Sequence, residues 1–387
     1  VDREETLATL AYNRVSNYTP VQKYRLYKRF GSVSRLLSER SEAESVYNKS
    51  LKIDGEQLDL VKMRKRVESE YTFCQDHGIV ILTLSHSSYP EYLRHIDDPP
   101  ILLFAHGRIE LLENSVLFGI VGARRASNSS ISRGYTIARD LARNGVTIVS
   151  GLATGIDYYA HKGALDGRGD TVAVLGNGID VVYPKSNVDM YERIKSKGLL
   201  LSEFPIGTGP LKYNFPKRNR IISGITCGVL VAEASIKSGA LITAQYALDQ
   251  GREVMALPGG AGSDSFQGNN RLIKEGAHLV EDAEDICAIL GVEYRKLQGF
   301  VSLQENDAGG THLGMNSGAH NTLHLSPLEC TILSVIGDDL VSIEDIEKNL
   351  RGPISKIASA LTMLEIKGAV IQYPGKNFAR VEEHGKR

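Results

Sequence analysis

Three short stretches concentrate cations where few acids offset them. GARRASNSSISRGYTIAR (122–139) holds Arg124, Arg125, Arg133 and Arg139 before any acid, with Ser127, Ser129 and Ser130 near a helix start. YPKSN (183–187) adds Lys185, and LKYNFPKRNR (211–220) sets Lys212, Lys217, Arg218 and Arg220 around Phe215. Paired arginines offer bidentate donors to phosphate oxygens. A strand-to-helix turn adds backbone N–H groups and the positive end of a helix dipole. One phosphate needs one such turn; three suit a string of phosphates. A ring among them gives a base a stacking face, worth about 1–3 kcal/mol. Cations plus a ring, with no base-reading motif, point to single-stranded nucleic acid bound with little sequence preference. The expected contacts are Arg124, Arg125, Ser127, Lys185, Lys212, Phe215, Lys217, Arg218 and Arg220. Two of them have structural alternatives: Phe215 as a core residue, and Arg220 as the buried partner of Glu203 or Glu233.

Other chemistries fit the residues less well. No G-x-x-x-x-G-K-[ST] is present, so ATP hydrolysis is not expected. GNGIDV (176–181) has Val181 where a dinucleotide fingerprint needs its third glycine, and Tyr183-Pro184 interrupts the helix that should follow. PGGAGSDSF (258–266) is close to the P-G-G-x-G-T-x-x-E signature of nucleotide phosphoribohydrolases, but Phe266 stands at the place of the catalytic Glu. The turn for a phosphate remains while the acid/base group is missing. Asp157, Glu203 and Glu233 fall at or just beyond strand ends, where they accept backbone N–H bonds or offset arginines in preference to catalysing. His161 reads as a catalytic candidate or as ordinary helix surface. Neither a nucleophile–base pair nor a metal-ligand cluster stands out, so neither enzymatic turnover, nor a cofactor, nor a metal is expected.

The elements that must position the cationic turns lie between residues 111 and 292. Apolar runs (SVLFGIVGA, VTIVSGLATG, TVAVLGNG, LLLSEF, CGVLVAEA, EVMALPGG) alternate with helical segments and close on glycine turns. Such near-continuous Val/Ile/Leu runs predict a Rossmann-like, doubly wound α/β domain with a mostly parallel sheet. Ligands bind such sheets beyond the C-terminal ends of the strands, where all three basic turns fall. Residues 1–110 read as a helical accessory domain, with Thr19-Pro20 starting a helix that stops at Gly31 and a second helix ending at Gly78. Their 16 basic and 16 acidic residues balance, so no polyanion site is expected there. Residues 293–325, rich in Gly, Asn, Ser and His, read as a linker. Residues 326–387 predict three short helices and a hairpin around Pro374-Gly375, the pattern of a winged helix.

The composition sets the frame. The 387 residues are 42% hydrophobic and 24% charged, ordinary for a globular protein of two or three domains. A formal net charge of −1 means that affinity for a polyanion must come from a local patch. Cys74, Cys227, Cys287 and Cys330 stand far apart, as in a reducing cytosol. With no membrane-spanning stretch and no signal-peptide pattern, a cytoplasmic protein is expected.

GARRAS, SGLATGID, AVLGNGIDVVYPKSN, LSEFPIGTGPLKYNFPKRNRIISG, VAEASIKSGALITAQYAL, GREVMALPGG and GNNRLIKEGA follow one another over residues 119–286. This ordered set resembles the DNA-processing protein A family (DprA, also called Smf). The resemblance extends to a SAM-like N-terminal domain and a C-terminal winged helix. It implies a single-stranded DNA-binding recombination mediator that protects incoming strands, displaces single-strand-binding protein and loads a RecA-type recombinase in natural transformation. It also implies a homodimer formed through the Rossmann-like domain. The family's first-turn arginine corresponds to Arg124, its Lys-x-x-Phe pair to Lys212 and Phe215, and its Y-P-K lysine to Lys185. Ala123 departs from the Ser or Thr common in the family, removing one hydroxyl from the turn. A nucleotide-binding enzyme and a winged-helix transcription regulator are the alternatives. Residues 321–387 carry eight Lys/Arg against nine Asp/Glu, and the expected recognition helix has only Lys356 and Lys367. Protein contact is therefore expected of the winged helix in preference to duplex reading.

Overall fold

Strands covered by helices on both faces can be apolar at every position, and the centre of this fold is built that way. The computed structural model describes residues 2–53, 55–113 and 116–293. In the C-terminal segment it describes 327–336, 341–342, 345–346, 357, 360–361, 363–365, 369–373 and 377–380. In chain order the strands are β1 (Lys52–Ile53), β2 (Glu56–Gln57), β3 (Ile79–Thr83), β4 (Leu102–Gly107), β5 (Leu117–Val121), β6 (Thr147–Ser150), β7 (Thr171–Val174), β8 (Leu199–Ser202), β9 (Gly228–Val231), β10 (Glu253–Ala256) and β11 (His278–Leu279). β1 and β2 form a small antiparallel pair, and the other nine make one sheet in the order β11-β10-β9-β5-β6-β7-β8-β4-β3. From β11 to β8 all neighbours are parallel, with every residue of β5, β6, β7, β8 and β9 buried. The chain steps outward from β5 to β8, then returns to the other side of β5 with β9. The switch point of this doubly wound sheet is therefore the crevice between β5 and β9.

The helices are α1 (Arg3–Asn13), α2 (Pro20–Phe30), α3 (Val33–Ser38), α4 (Arg40–Val46), α5 (Leu60–Asp76), α6 (Glu91–Arg94), α7 (Asn128–Arg143), α8 (Ile156–Asp166), α9 (Val188–Lys197), α10 (Asn214–Gly224), α11 (Gly239–Asp249), α12 (Gln267–Lys274) and α13 (Ala283–Leu290). The expected start of α2 is present in full: Thr19 and Gln22 form a reciprocal capping box, Pro20 opens the helix and Gly31 ends it at φ 77°.

The expected boundary near residue 110 does not divide two bodies. β4 pairs antiparallel with β8, and β3 with β4, so residues 79–107 extend and cover the sheet edge. One continuous core runs from Leu7 and Leu10 of α1 through Leu102–Ala105 to Leu199–Leu201. Residues 1–300 accordingly form one compact unit and 301–387 another. Buried polar bonds fasten the N-terminal helices: Glu70 accepts from the Ile206 backbone N–H at 2.9 Å and holds Arg14 at 2.8 Å.

In the second unit, α14 (Pro327–Ile336), β12 (Val341–Ser342), β13 (Val370–Tyr373) and β14 (Asn377–Arg380) surround a separate core that includes Ile332, Ile336, Leu361 and Phe378. The sheet order is β12-β14-β13, antiparallel throughout, so the expected hairpin is present as β13 and β14. Beyond Glu293 the expected linker lies outside the described residues, and so do most of the second and third helices of the winged helix.

Candidate nucleic-acid interface

The three basic stretches follow β5, β7 and β8, and all open at the C-terminal edge of the sheet. There, Arg124, Lys212 and Phe215 line a cavity of about 500 Å3 together with Asp157, Tyr183 and Ser238. A smaller recess of about 150 Å3 adjoins it over the glycine turn after β7, and Arg124, Tyr183 and Phe215 line both. The larger volume is that of a pocket for a small molecule or a nucleotide.

Phe215 is half-buried at the junction of the two. One side of its ring packs on Gly176, where an added Cβ would lie 2.6 Å from a ring carbon. The Tyr183 ring stands 5.5 Å away, tilted by 42°. The Arg124 guanidinium carbon lies 5.3 Å from the ring centroid, a cation–π contact that holds an exposed charge at the rim. Lys212 is exposed on the same rim. Ser238 caps α11, accepting from the Ala240 N–H at 3.3 Å, so a helix N-terminus also opens into the cavity.

Four expected contacts are placed otherwise. The stretch NFPKRNR is not a turn but the first two turns of α10, with Pro216 tolerated near its start. Arg218 therefore points inward and is only 4% exposed. Its guanidinium donates to the carbonyls of Gly151 (2.9 Å) and Val174, tying the ends of β6 and β7 together. Any Cβ at residue 151 would lie 2.4 Å from this group, so a side chain there would push the guanidinium off the two carbonyls. Burial lowers the Arg218 pKa to about 10, which leaves it charged at neutrality, opposed by Asp157 and with Arg124 adding to the shift. Arg220, 1% exposed, makes two parallel bonds to Glu203 (2.9 and 2.8 Å) and a third to Asp98 at 3.0 Å. Burial works against both charges of the Arg220–Glu203 pair, yet their mutual attraction wins: the arginine's pKa is raised and the carboxylate's lowered. Lys217 lies 3.6 Å from Glu203 and over the Phe204 ring, away from the Phe215 groove.

Ser127 is the cap of α7, and its hydroxyl and backbone N–H both donate to Glu233, at 2.6 and 2.9 Å. A carboxylate of the protein thus occupies the helix end expected to receive phosphate. The expected turn-shaping use of Glu233 is what the geometry gives. Arg125 and Lys185 are exposed but line neither cavity. His161 is not helix surface: it is fully buried, its Nδ1 lies 2.7 Å from the Thr171 hydroxyl, and burial drops its pKa to about 3. Asp157 is buried at the groove, its pKa raised by desolvation against the pull of Arg218. In the turn 258–262, Phe266 packs directly on Gly259, filling the position where the hydrolase signature has its carboxylate.

Asp157 takes the expected place of an acid that accepts a backbone N–H, from Ala153, and offsets an arginine, Arg218, whereas Tyr183, Ser238 and Asn269 carry no sequence signal that marks them as groove or framework residues. Asn269 is buried and accepts from the Ala234 N–H at 2.7 Å while donating to Val231 and Leu257. It binds the ends of β9 and β10 beside the switch point. The Ser-Gly-Ala start of an apolar helix at 238–240 was a legible cap; nothing local to Asn269 announced its role.

Comparison with known proteins places these features in a family. Residues 80–291 match the family described as DNA recombination-mediator protein A, and residues 319–376 match the DprA winged helix domain. Protein Smf of Escherichia coli (strain K12) is 36% identical over 318 residues, 81% of this chain and 80% of that protein. Protein Smf of Synechocystis sp. is 33% identical over 397 residues, 96% of this chain and 98% of that protein. The structure of DNA processing protein A from Streptococcus pneumoniae is similar at a TM-score of 0.55 and 34% identity, covering 70% of this chain and 98% of that one. DNA processing protein A from Helicobacter pylori, reported for its single-stranded DNA binding mode, is similar at a TM-score of 0.51 and 30% identity, covering 56% of this chain and 97% of that one.

Proposed function

The chain belongs to the DNA recombination-mediator protein A family, and from that premise we propose that it binds single-stranded DNA in the groove at the β5/β9 switch point. Phe215 stacks on a base, Arg124 and Lys212 hold the flanking phosphates, and Arg125 and Lys185 extend the cationic track along the same edge. What supports this reading is one juxtaposition: a half-buried ring fixed on Gly176, with an exposed guanidinium over it and a lysine on the same rim. Stacking tolerates any base, and phosphate contacts read none, so the binding is general in sequence. Arg218, Arg220 and Ser127 serve the groove from behind as its framework. The bound strand is handed to a RecA-type recombinase in place of single-strand-binding protein, the protein acting as a homodimer that raises effective concentration on a long strand.

A titration of labelled oligo-dT against duplex of equal length, with native protein and with Phe215→Ala and Arg124→Ala, tests the proposal. Preference for the single strand, weakened by both substitutions, is expected. Equal affinity for duplex, or indifference to both, overturns it.

A further inference from the structure

A second cleft, of about 380 Å3, lies between the N-terminal helices and the segment after β8. It shares a wall with the Phe215 groove. Along residues 208–217, Pro210, Lys212 and Phe215 line the groove, while Leu211, Tyr213, Asn214 and Lys217 line the cleft. Tyr213 stands at this divide 70% exposed.

The cleft has donors in excess of acceptors. Arg14 and Arg220, both on its lining, are paired with Glu70 and with Glu203 and Asp98. Glu203 is the carboxylate lining the cleft, and Arg220 already engages both of its oxygens. Lys217 reaches that carboxylate only at 3.6 Å. Lys23, half-buried on the opposite wall, gives one hydrogen bond, to the Asn13 carbonyl at 2.8 Å, out of the three an ammonium can make. Asn214, 3% exposed, has its amide nitrogen buried without a partner. A buried donor left unmade costs more than a typical hydrogen bond returns. Two ammonium groups and an orphaned amide around one cavity match a group with several anionic acceptor oxygens.

We propose that this cleft is a second phosphate site, filled by a backbone phosphate of the strand that leaves the Phe215 groove across Tyr213. This rests on the single-strand reading of the groove, and the shared wall is what joins the two. Burial, reinforced by Lys217 and opposed by Glu203, lowers the Lys23 pKa to about 7, so the amine is only partly charged at neutral pH. An arriving phosphate would hold it charged.

The test uses the full chain with oligo-dT of about 4 and about 16 nucleotides, the range of one binding module. Lys23→Met should leave the short oligonucleotide's affinity unchanged and weaken the long one about tenfold, the loss of one charge-assisted contact. The salt slope for the long oligonucleotide should fall by about 0.7, and Lys23→Arg should restore it. Lys217→Gln, which leaves the Arg220–Glu203 pair intact, should repeat the pattern if Lys23→Met folds poorly. Inorganic phosphate and dTMP form the second arm. A Lys23-dependent rise in Tm with either, without any length effect, assigns the site to a free phosphate group in place of the strand's. No Lys23 or Lys217 dependence in either arm overturns the site. Failure of Phe215→Ala to weaken the short oligonucleotide overturns the groove instead, so the two readings fail separately.

Discussion

Among single residues, α10 divides sharply: Phe215 faces the groove, while Arg218 and Arg220 are part of the fold. Removing one partner of a buried ion pair strands the other charge, so Arg220→Ala should cost about 3–5 kcal/mol of stability in urea unfolding. Arg124→Ala should leave the unfolding midpoint in place and weaken only the single strand, because Arg124 is exposed and rests over the Phe215 ring at the groove's rim. Lys23 makes a pH prediction. Its pKa falls from 10.5 to about 7 through burial and then Lys217, with Glu203 opposing. Between those values the unfolded chain binds the extra proton, so this residue's contribution to stability rises with pH from about 7 toward 10.5 and is lost as pH falls through 7. The difference between native protein and Lys23→Met, followed by urea midpoints at pH 7 and pH 9, should therefore shift in favour of the native protein at the higher pH. A constant difference would place Lys23 in an ordinary exposed setting.

At the level of elements, the parallel strands were legible because burial on both faces writes an uninterrupted apolar run, and the glycine turns marked where each strand ends. The position of the groove followed from those two signals. What stayed hidden was the direction of each cation. A helix beginning at Asn214 puts Asn214, Arg218 and Ile221 on one buried face by the three-to-four residue period, yet a stretch crowded with charge reads as a turn until the helix start is known. For the same reason His161 reads equally as a catalytic candidate or as helix surface, and residues 79–107 as part of a separate domain: only the assembled sheet shows what they pack against. The turn after β7 yields a prediction of its own. Gly176→Ala places a Cβ 2.6 Å from the Phe215 ring, which must swing away from the recess. Single-strand affinity should fall by up to the full stacking contribution, about 1–3 kcal/mol, with Phe215→Ala adding little further loss in the double variant. Full additivity in that cycle would mean that the two residues act independently.

For the whole molecule, a net charge of −1 leaves affinity to a local patch. Arg124, Arg125, Lys185 and Lys212 give roughly four phosphate contacts on the groove's edge, and single-strand binding should fall with salt at a slope of about −3 in log–log form. The winged helix adds no net cation to that count, since residues 321–387 carry eight basic and nine acidic side chains. Its core of Ile332, Ile336, Leu361 and Phe378 is separate from the cores of the larger unit, and residues 1–300 cohere without it. Deleting 321–387 should therefore leave both the unfolding midpoint of the larger unit and its oligo-dT affinity nearly unchanged, with the salt slope still about −3. Whatever the deletion does remove, such as contact with a recombinase or a second protein, then belongs to the winged helix. If single-strand binding disappears with it, the reading domain is the winged helix, and the groove at Phe215 becomes a ligand site that regulates it.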